Sequence, residues 1–169
     1  DYNDSDVVEL NNERVKVQMT VEYEDGIFSL VSPYLEIRDF ASPDVDPVKS
    51  NVPVFDFTRG QGGFEDVNAF YHLSIFQQYI QSLGITNLND KIWVDTHASN
   101  GSDQSSFSPF DNPPTIEYGT GGVDDAEDAD VIVHEYGHAL SYFASNSNVG
   151  REREAIDEGI GDYLAASYS

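Results

Sequence analysis

Apolar residues recur at three- and four-residue spacing through three stretches of this chain, with shorter stretches of β-type residues before and between them. The clearest helical pattern is Ile132, Val133, Tyr136, Ala139, Leu140 and Phe143, in a Pro-free segment from Ala129 to Phe143 whose one interior glycine is Gly137. The acidic run Asp124, Asp125, Glu127, Asp128 and Asp130 stands before or in its first turn, where carboxylates cap free N–H groups and suit the helix dipole. Ser145-Asn146-Ser147-Asn148 then breaks the pattern with turn-forming residues. A second helix is predicted over about Glu152 to Tyr168, with Ala155, Ile156, Ile160, Tyr163, Leu164 and Ala165 on its apolar side. An earlier, long helix is predicted from Asn68 to Leu83, where Val67, Phe70, Tyr71, Phe76, Tyr79, Ile80 and Leu83 form a broad stripe and Gly84 fits the position after its end.

Strand signals lie around these helices. Residues Arg14 to Met19 alternate, Ile27 to Ile37 hold further β-type residues, and Glu24-Asp25-Gly26 between them is a hairpin signal. Lys91 to Asp95 and Thr115 to Gly119 read as strands by content. Pro43, Pro47 and Pro53 punctuate a loop leading to Val54-Phe55-Asp56-Phe57. Gly60-Gln61-Gly62-Gly63 is a flexible joint before the long helix; no Gly-Lys-Ser/Thr follows it, so it is no phosphate loop. The expectation is one α+β domain spanning residues 1–169, β-rich over 1–60 and helical over 65–169. No internal repeat, heptad array or transmembrane run interrupts it.

The strongest helix also carries the strongest chemistry, His134-Glu135-Tyr136-Gly137-His138. Residues four apart lie one turn above each other, so His134 and His138 offer two imidazole nitrogens to one metal ion, with Glu135 beside them as a proton acceptor. A tetrahedral zinc ion that does chemistry takes three protein ligands and leaves one position open. The following helix supplies Glu158 and Asp162, again four apart on one face. Two antiparallel helices joined by a short loop are neighbours by default, which brings Glu158 within reach as third ligand. Asp162 is then placed to accept the outer ring N–H of a ligand histidine and fix its tautomer. Glu154, one turn earlier, is the competing third ligand.

The two motifs, separated by the nineteen residues 139–157, resemble the gluzincin arrangement of thermolysin-like and fungalysin-like zinc metallopeptidases. The resemblance implies a zincin-like fold: N-terminal strands and hairpins, a long helix, then two zinc-site helices. It implies Zn²⁺ held by His134, His138 and Glu158, Glu135 as general base, and Asp162 behind His134. It further implies a substrate-binding edge strand, best matched by Gln104, Ser105, Ser106 and Phe107, although this family commonly has Asn and Ala where Ser105 and Ser106 stand. Asp130, four residues before His134, falls where thermolysin-like enzymes have a calcium-binding Asp. The family's oxyanion donors are a Tyr and a His, the latter from a C-terminal helical domain. Val149 stands where that Tyr is expected, with Tyr142 and Tyr136 as substitutes, and no histidine follows His138. These 169 residues are therefore expected to be an N-terminal portion of a larger catalytic domain, binding zinc but hydrolysing peptides poorly when isolated. His72 is expected at a helix surface or core edge, and His97 in a loop.

Composition narrows the partners. With 31 acidic against 8 basic residues the formal net charge is −23, which argues against nucleic acid or anionic membrane. The charge fits a salt-adapted acidic surface or carboxylates that bind calcium, for which Asp124, Asp125, Asp128 and Asp130, or the Asp95–Asp103 loop, are the candidates. Protein or peptide substrates, and an extracellular setting, follow from the resemblance; the absence of Cys is neutral on that point. Two rivals stand beside a zinc endopeptidase. One is a zinc exopeptidase with an acidic amine subsite, for which Glu117 or Asp125 would serve. The other is an extracellular binding module whose zinc is closed by a fourth protein ligand such as Asp157 or His97.

Overall fold

The computed structural model describes residues 8–145 and 150–169. After a short helix α1 (Val8–Asn12), the chain forms strands β1 (Glu22–Glu24), β2 (Ile27–Ser29), β3 (Leu35–Ile37) and β4 (Lys49–Ser50). Helix α2 (Phe64–Ser82) follows, then β5 (Ile92–Ala98), β6 (Ser106–Ser108) and β7 (Thr115–Gly119), and finally α3 (Ala129–Ala144) and α4 (Arg151–Tyr168). The chain is therefore α+β. No described helix is long and apolar enough to cross a membrane.

Two small sheets result. The first is antiparallel, in the order β1-β2-β4. Its β1–β2 hairpin closes through Asp25 and Gly26, both at positive φ (50° and 85°), the turn that the Glu24-Asp25-Gly26 signal predicts. The second has the order β3-β5-β7-β6; β3, β5 and β7 run parallel, and β6 closes one edge antiparallel to β7. Chain order thus mixes the two halves: β3 precedes α2, while its partners β5 and β7 follow it. The division into a β-rich front and a helical rear is finer than composition suggests. The alternating segment Arg14–Met19 forms no strand, contrary to its pattern. Val15 is 79% exposed, and the pairing of β1 begins only at Glu22, so the alternation has no partner strand to satisfy its backbone.

Helices α2 and α3 cover the larger sheet. Leu35, Ile92, Val94 and Ile116 from its strands meet Phe70, Leu73 and Phe76 from α2 and Ile132, Val133 and Tyr136 from α3 in one buried core. Polar groups tie the layers. The Tyr118 hydroxyl on β7 donates to the Ile132 carbonyl on α3 at 3.0 Å. Tyr136 on α3 bonds Gln77 on α2, whose amide donates at 2.8 Å to the Leu88 carbonyl. Tyr118, Tyr136 and Gln77 are thereby paired, and α3 is locked in rotation against α2. The start of α3 is capped as the acidic run predicts: the Asp128 side chain accepts the Asp130 N–H at 2.8 Å. Gly84, just past α2, has φ 79° and its N–H returns to the Gln81 carbonyl.

Helix α4 packs on the outside of α3. The approach is close because glycines face each other: a methyl on Gly137 would lie 2.8 Å from the Gly161 Cα, and one on Gly161 would lie 2.9 Å from the His134 ring. At the far end Tyr168 anchors α4, its hydroxyl 2.8 Å from His72 Nδ1 and its ring edge-on to Phe76. His72 is half-buried on α2, at the core edge as expected.

Two glycines on these helices separate packing from propensity. Gly137→Ala meets backbone and should lower unfolding free energy by about 1–3 kcal/mol in urea titration, as overpacked sites do. Gly159→Ala meets nothing within 4 Å and should raise it by up to about 1 kcal/mol through helix propensity.

Candidate metal centre

The glycine contact between α3 and α4 sets Glu158 opposite His134 and His138. Nε2 of His134 lies 3.5 Å from Glu158 Oε2, and Nε2 of His138 lies 3.8 Å from Glu158 Oε1. One ligand atom from each of the three residues falls within 4.8 Å of the others, a group that could hold a metal ion. The donor set and spacing suit zinc. Ligands at about 2.0–2.1 Å in a tetrahedron are about 3.3 Å apart, so the 3.5 and 3.8 Å separations from Glu158 need only a slight contraction. Among the described residues no other cluster of three such groups occurs. Glu154 lies exposed outside the group.

Both imidazoles are held from behind. His134 Nδ1 lies 3.0 Å from Asp162 Oδ1, the partner that the resemblance implies. His138 Nδ1 lies 3.0 Å from Asp157 Oδ2, close but off the hydrogen-bond axis. Each histidine therefore has a carboxylate oxygen 3.0 Å from Nδ1 and turns Nε2 towards Glu158. Burial alone would raise the Asp157 carboxyl, but contacts from Ser141 and Arg153 and the charge of His138 outweigh it and hold it below the ordinary value. Sequence reasoning weighed Asp157 only as a fourth ligand and did not single out Ser141 or Arg153. The i, i+4 spacing of Arg153 and Asp157 was visible, but which side of His138 the pair would face was not.

Glu135 is 7% exposed, beside the two histidines. Burial first, then the charges of Glu158 and Asp125, push its carboxyl up to about 7, against a lowering hydrogen bond from the Phe107 backbone. Its Oε2 is buried without a partner, which fits a carboxylate that awaits a proton donor. The cleft in front of it has a volume of about 440 Å³ and is walled by Glu135, Glu158, Ser106, Phe107, Tyr142 and Arg153 among others.

The expected edge segment lies here, shifted by two residues. Ser106 and Phe107 belong to edge strand β6, whereas Gln104 and Ser105 precede it. Ser105 donates to Asp125 at 2.6 Å and accepts the Gly119 N–H at 3.2 Å, so its side chain is spent within the fold. Of the two substitute tyrosines, Tyr136 is buried against Gln77 and cannot face a substrate, while Tyr142 lines the cleft. Val149 lies outside the described residues. The proposed calcium residues do not converge: Asp128 caps α3, and Asp130 accepts the Ser169 hydroxyl.

His97 is not a loop residue. It lies on β5, 9% exposed, with Nε2 3.7 Å from Glu65 and Nδ1 3.9 Å from Asp66, well apart from the metal group. The strand extends past Asp95 to Ala98, which pairs with Gly119 after a register shift, and the Asp95 side chain accepts the N–H groups of Phe40, Ala41 and His97, which pins the neighbouring loop. Burial lowers the His97 pKa, but Glu65, Asp66 and Asp124 together outweigh it and raise the value above 6.5.

Two outcomes follow from these environments. Asp162→Ala should weaken zinc binding about 10–100-fold in a chelator competition, with the helical circular dichroism unchanged. For His97, a folded-state pKa above the unfolded value means its stabilisation is fully present below about pH 6.5 and is lost as pH rises through the folded value. The melting temperature of wild type should therefore exceed that of His97→Gln most at acidic pH, the gap narrowing above neutrality.

No protein-family model matches the chain, and no curated protein matches it.

Proposed function

We propose that this protein is a zinc-dependent endopeptidase of the gluzincin kind, acting on protein or peptide substrates. The observation that carries the reading is the convergence, at one cleft, of a three-ligand group, a buried carboxylate and the open edge of a sheet. His134, His138 and Glu158 would hold the ion, which when bound supplies Lewis-acid polarisation of a carbonyl and acidifies water.

The remaining work falls to the chain's own groups. Glu135 takes a proton from the attacking water and returns it to the departing amine. Its buried place beside the two histidines, with Oε2 unpaired, suits that exchange. Asp162 and Asp157, each 3.0 Å from an Nδ1, favour the ring orientation that turns Nε2 towards Glu158. The free edge of β6 can add an extended peptide as a further strand through main-chain hydrogen bonds, which reads backbone rather than side chains and so suits an endopeptidase. Tyr142 is the tyrosine along the cleft that is open to meet a developing oxyanion.

An exopeptidase subsite finds less support, since Asp125 is engaged by Ser105. A module with a closed zinc site finds less as well: the two proposed fourth ligands, Asp157 and His97, are occupied on the far side of His138 and in the Glu65–Asp66 cluster.

Replacing Glu135 by Gln separates binding from chemistry. Zinc content by mass spectrometry should stay at one ion per chain, while cleavage of an internally quenched peptide falls about 10²–10⁴-fold. Unchanged cleavage by the Gln variant would remove Glu135 from the mechanism, and loss of zinc would show that it serves as a ligand instead.

A further inference from the structure

Asp157 stands next to the ligand Glu158 and carries a carboxylate that a dication would readily take as a fourth ligand. Its position directs it elsewhere. Oδ2 lies 3.0 Å from Nδ1 of His138, whereas the nitrogen of that ring that faces Glu158 is Nε2. Oδ1 lies 3.0 Å from Nη1 of Arg153, one turn earlier on α4. From α3, buried Ser141 reaches the same carboxylate. Groups from two helices thus converge on one side chain, and the Arg153 and Asp157 side chains are mostly buried, at 18% and 27% exposure, where an ion pair is screened less than at the surface. The close packing that brings Glu158 to the histidines also brings Asp157 beside them.

We propose that Arg153 and Ser141 are positioning residues that hold Asp157 on the outer nitrogen of His138 and so keep the metal's fourth position open. The proposal rests on the reading of His134, His138 and Glu158 as a zinc site. The physical reason is competition for one carboxylate. Near a divalent ion it is drawn inward; the guanidinium supplies an opposing positive charge with a planar donor face, and the Ser141 hydroxyl adds a donor on the same side. Without Arg153 the carboxylate is released to close the site, turning an open hydrolytic geometry into a four-ligand structural one.

The test uses the full chain loaded with Co²⁺ in place of Zn²⁺, because the visible absorption of Co²⁺ reports coordination directly. Azide adds to an open position and shifts that spectrum. Wild type should bind one Co²⁺ and respond to azide. Arg153→Met should bind Co²⁺ but lose azide affinity at least about tenfold, the scale on which outer-shell partners act. Arg153→Met/Asp157→Asn should regain the response, because an amide is a poor replacement for the intruding carboxylate. Ser141→Ala, the milder change, should weaken azide binding in the same direction and serves if Arg153→Met fails to fold. Azide affinity within twofold of wild type in both single variants would overturn the proposal. A wild-type chain that binds no Co²⁺ would instead overturn the metal-site reading beneath it.

Discussion

The close approach of α3 and α4 at Gly137 and Gly161 is the constraint from which the rest of the site follows. Helix axes come this near only where no side chain intervenes, and here each glycine faces backbone or the His134 ring at a distance that no Cβ tolerates. The contact sets both the lateral position and the axial register of α4. Glu158 falls between the two histidines, Asp162 falls one turn beyond on His134, and Asp157 falls beside Nδ1 of His138. Moving α4 by one residue along its axis would exchange every one of these partners.

Burial beneath this contact gives the rigidity that the polar groups need. Helix α3 is fixed to the sheet by Tyr118 and to α2 by Tyr136 and Gln77, so its two histidines project from a surface that cannot rotate. The same packing removes Glu135 from water and, together with the nearby charges of Glu158 and Asp125, raises its carboxyl to about 7. The high acidity of the chain therefore has a local effect within the cleft as well as a general one at the surface. Outside the cleft the acidic groups are put to separate uses: Asp128 caps a helix, Asp95 pins a loop, and Glu65 and Asp66 surround His97.

The sequence-level reading succeeded where a short-range rule had no competitor. Helical spacing located α2, α3 and α4 to within a few residues; α2 and α3 bury an apolar face, whereas on the predicted apolar side of α4 only Ala165 is buried and Ile156 and Tyr163 are exposed at 59% and 70%. The hairpin at Asp25-Gly26 was legible because positive φ limits which residues can stand there. It failed at Arg14–Met19, where alternation is present but no neighbouring strand exists to use it. It also placed His97 in a loop, since a strand held open by Asp95 and continuing to Ala98 leaves little mark in local composition.

By itself the sequence pointed to the candidate group, because i, i+4 spacing places His134 and His138 on one face of their helix and Glu158 and Asp162 on one face of the next. It equally determined that Glu135 would stand beside the pair. Only the tertiary structure decided that β6 forms the edge beside Glu135, that Tyr136 is spent in the core while Tyr142 faces the cleft, and that Asp157 lies behind His138 with Arg153 and Ser141 around it. The reason is that these depend on which faces of separate elements meet. That choice is made by the packing of two glycines and a buried core, and no local period along the chain encodes it.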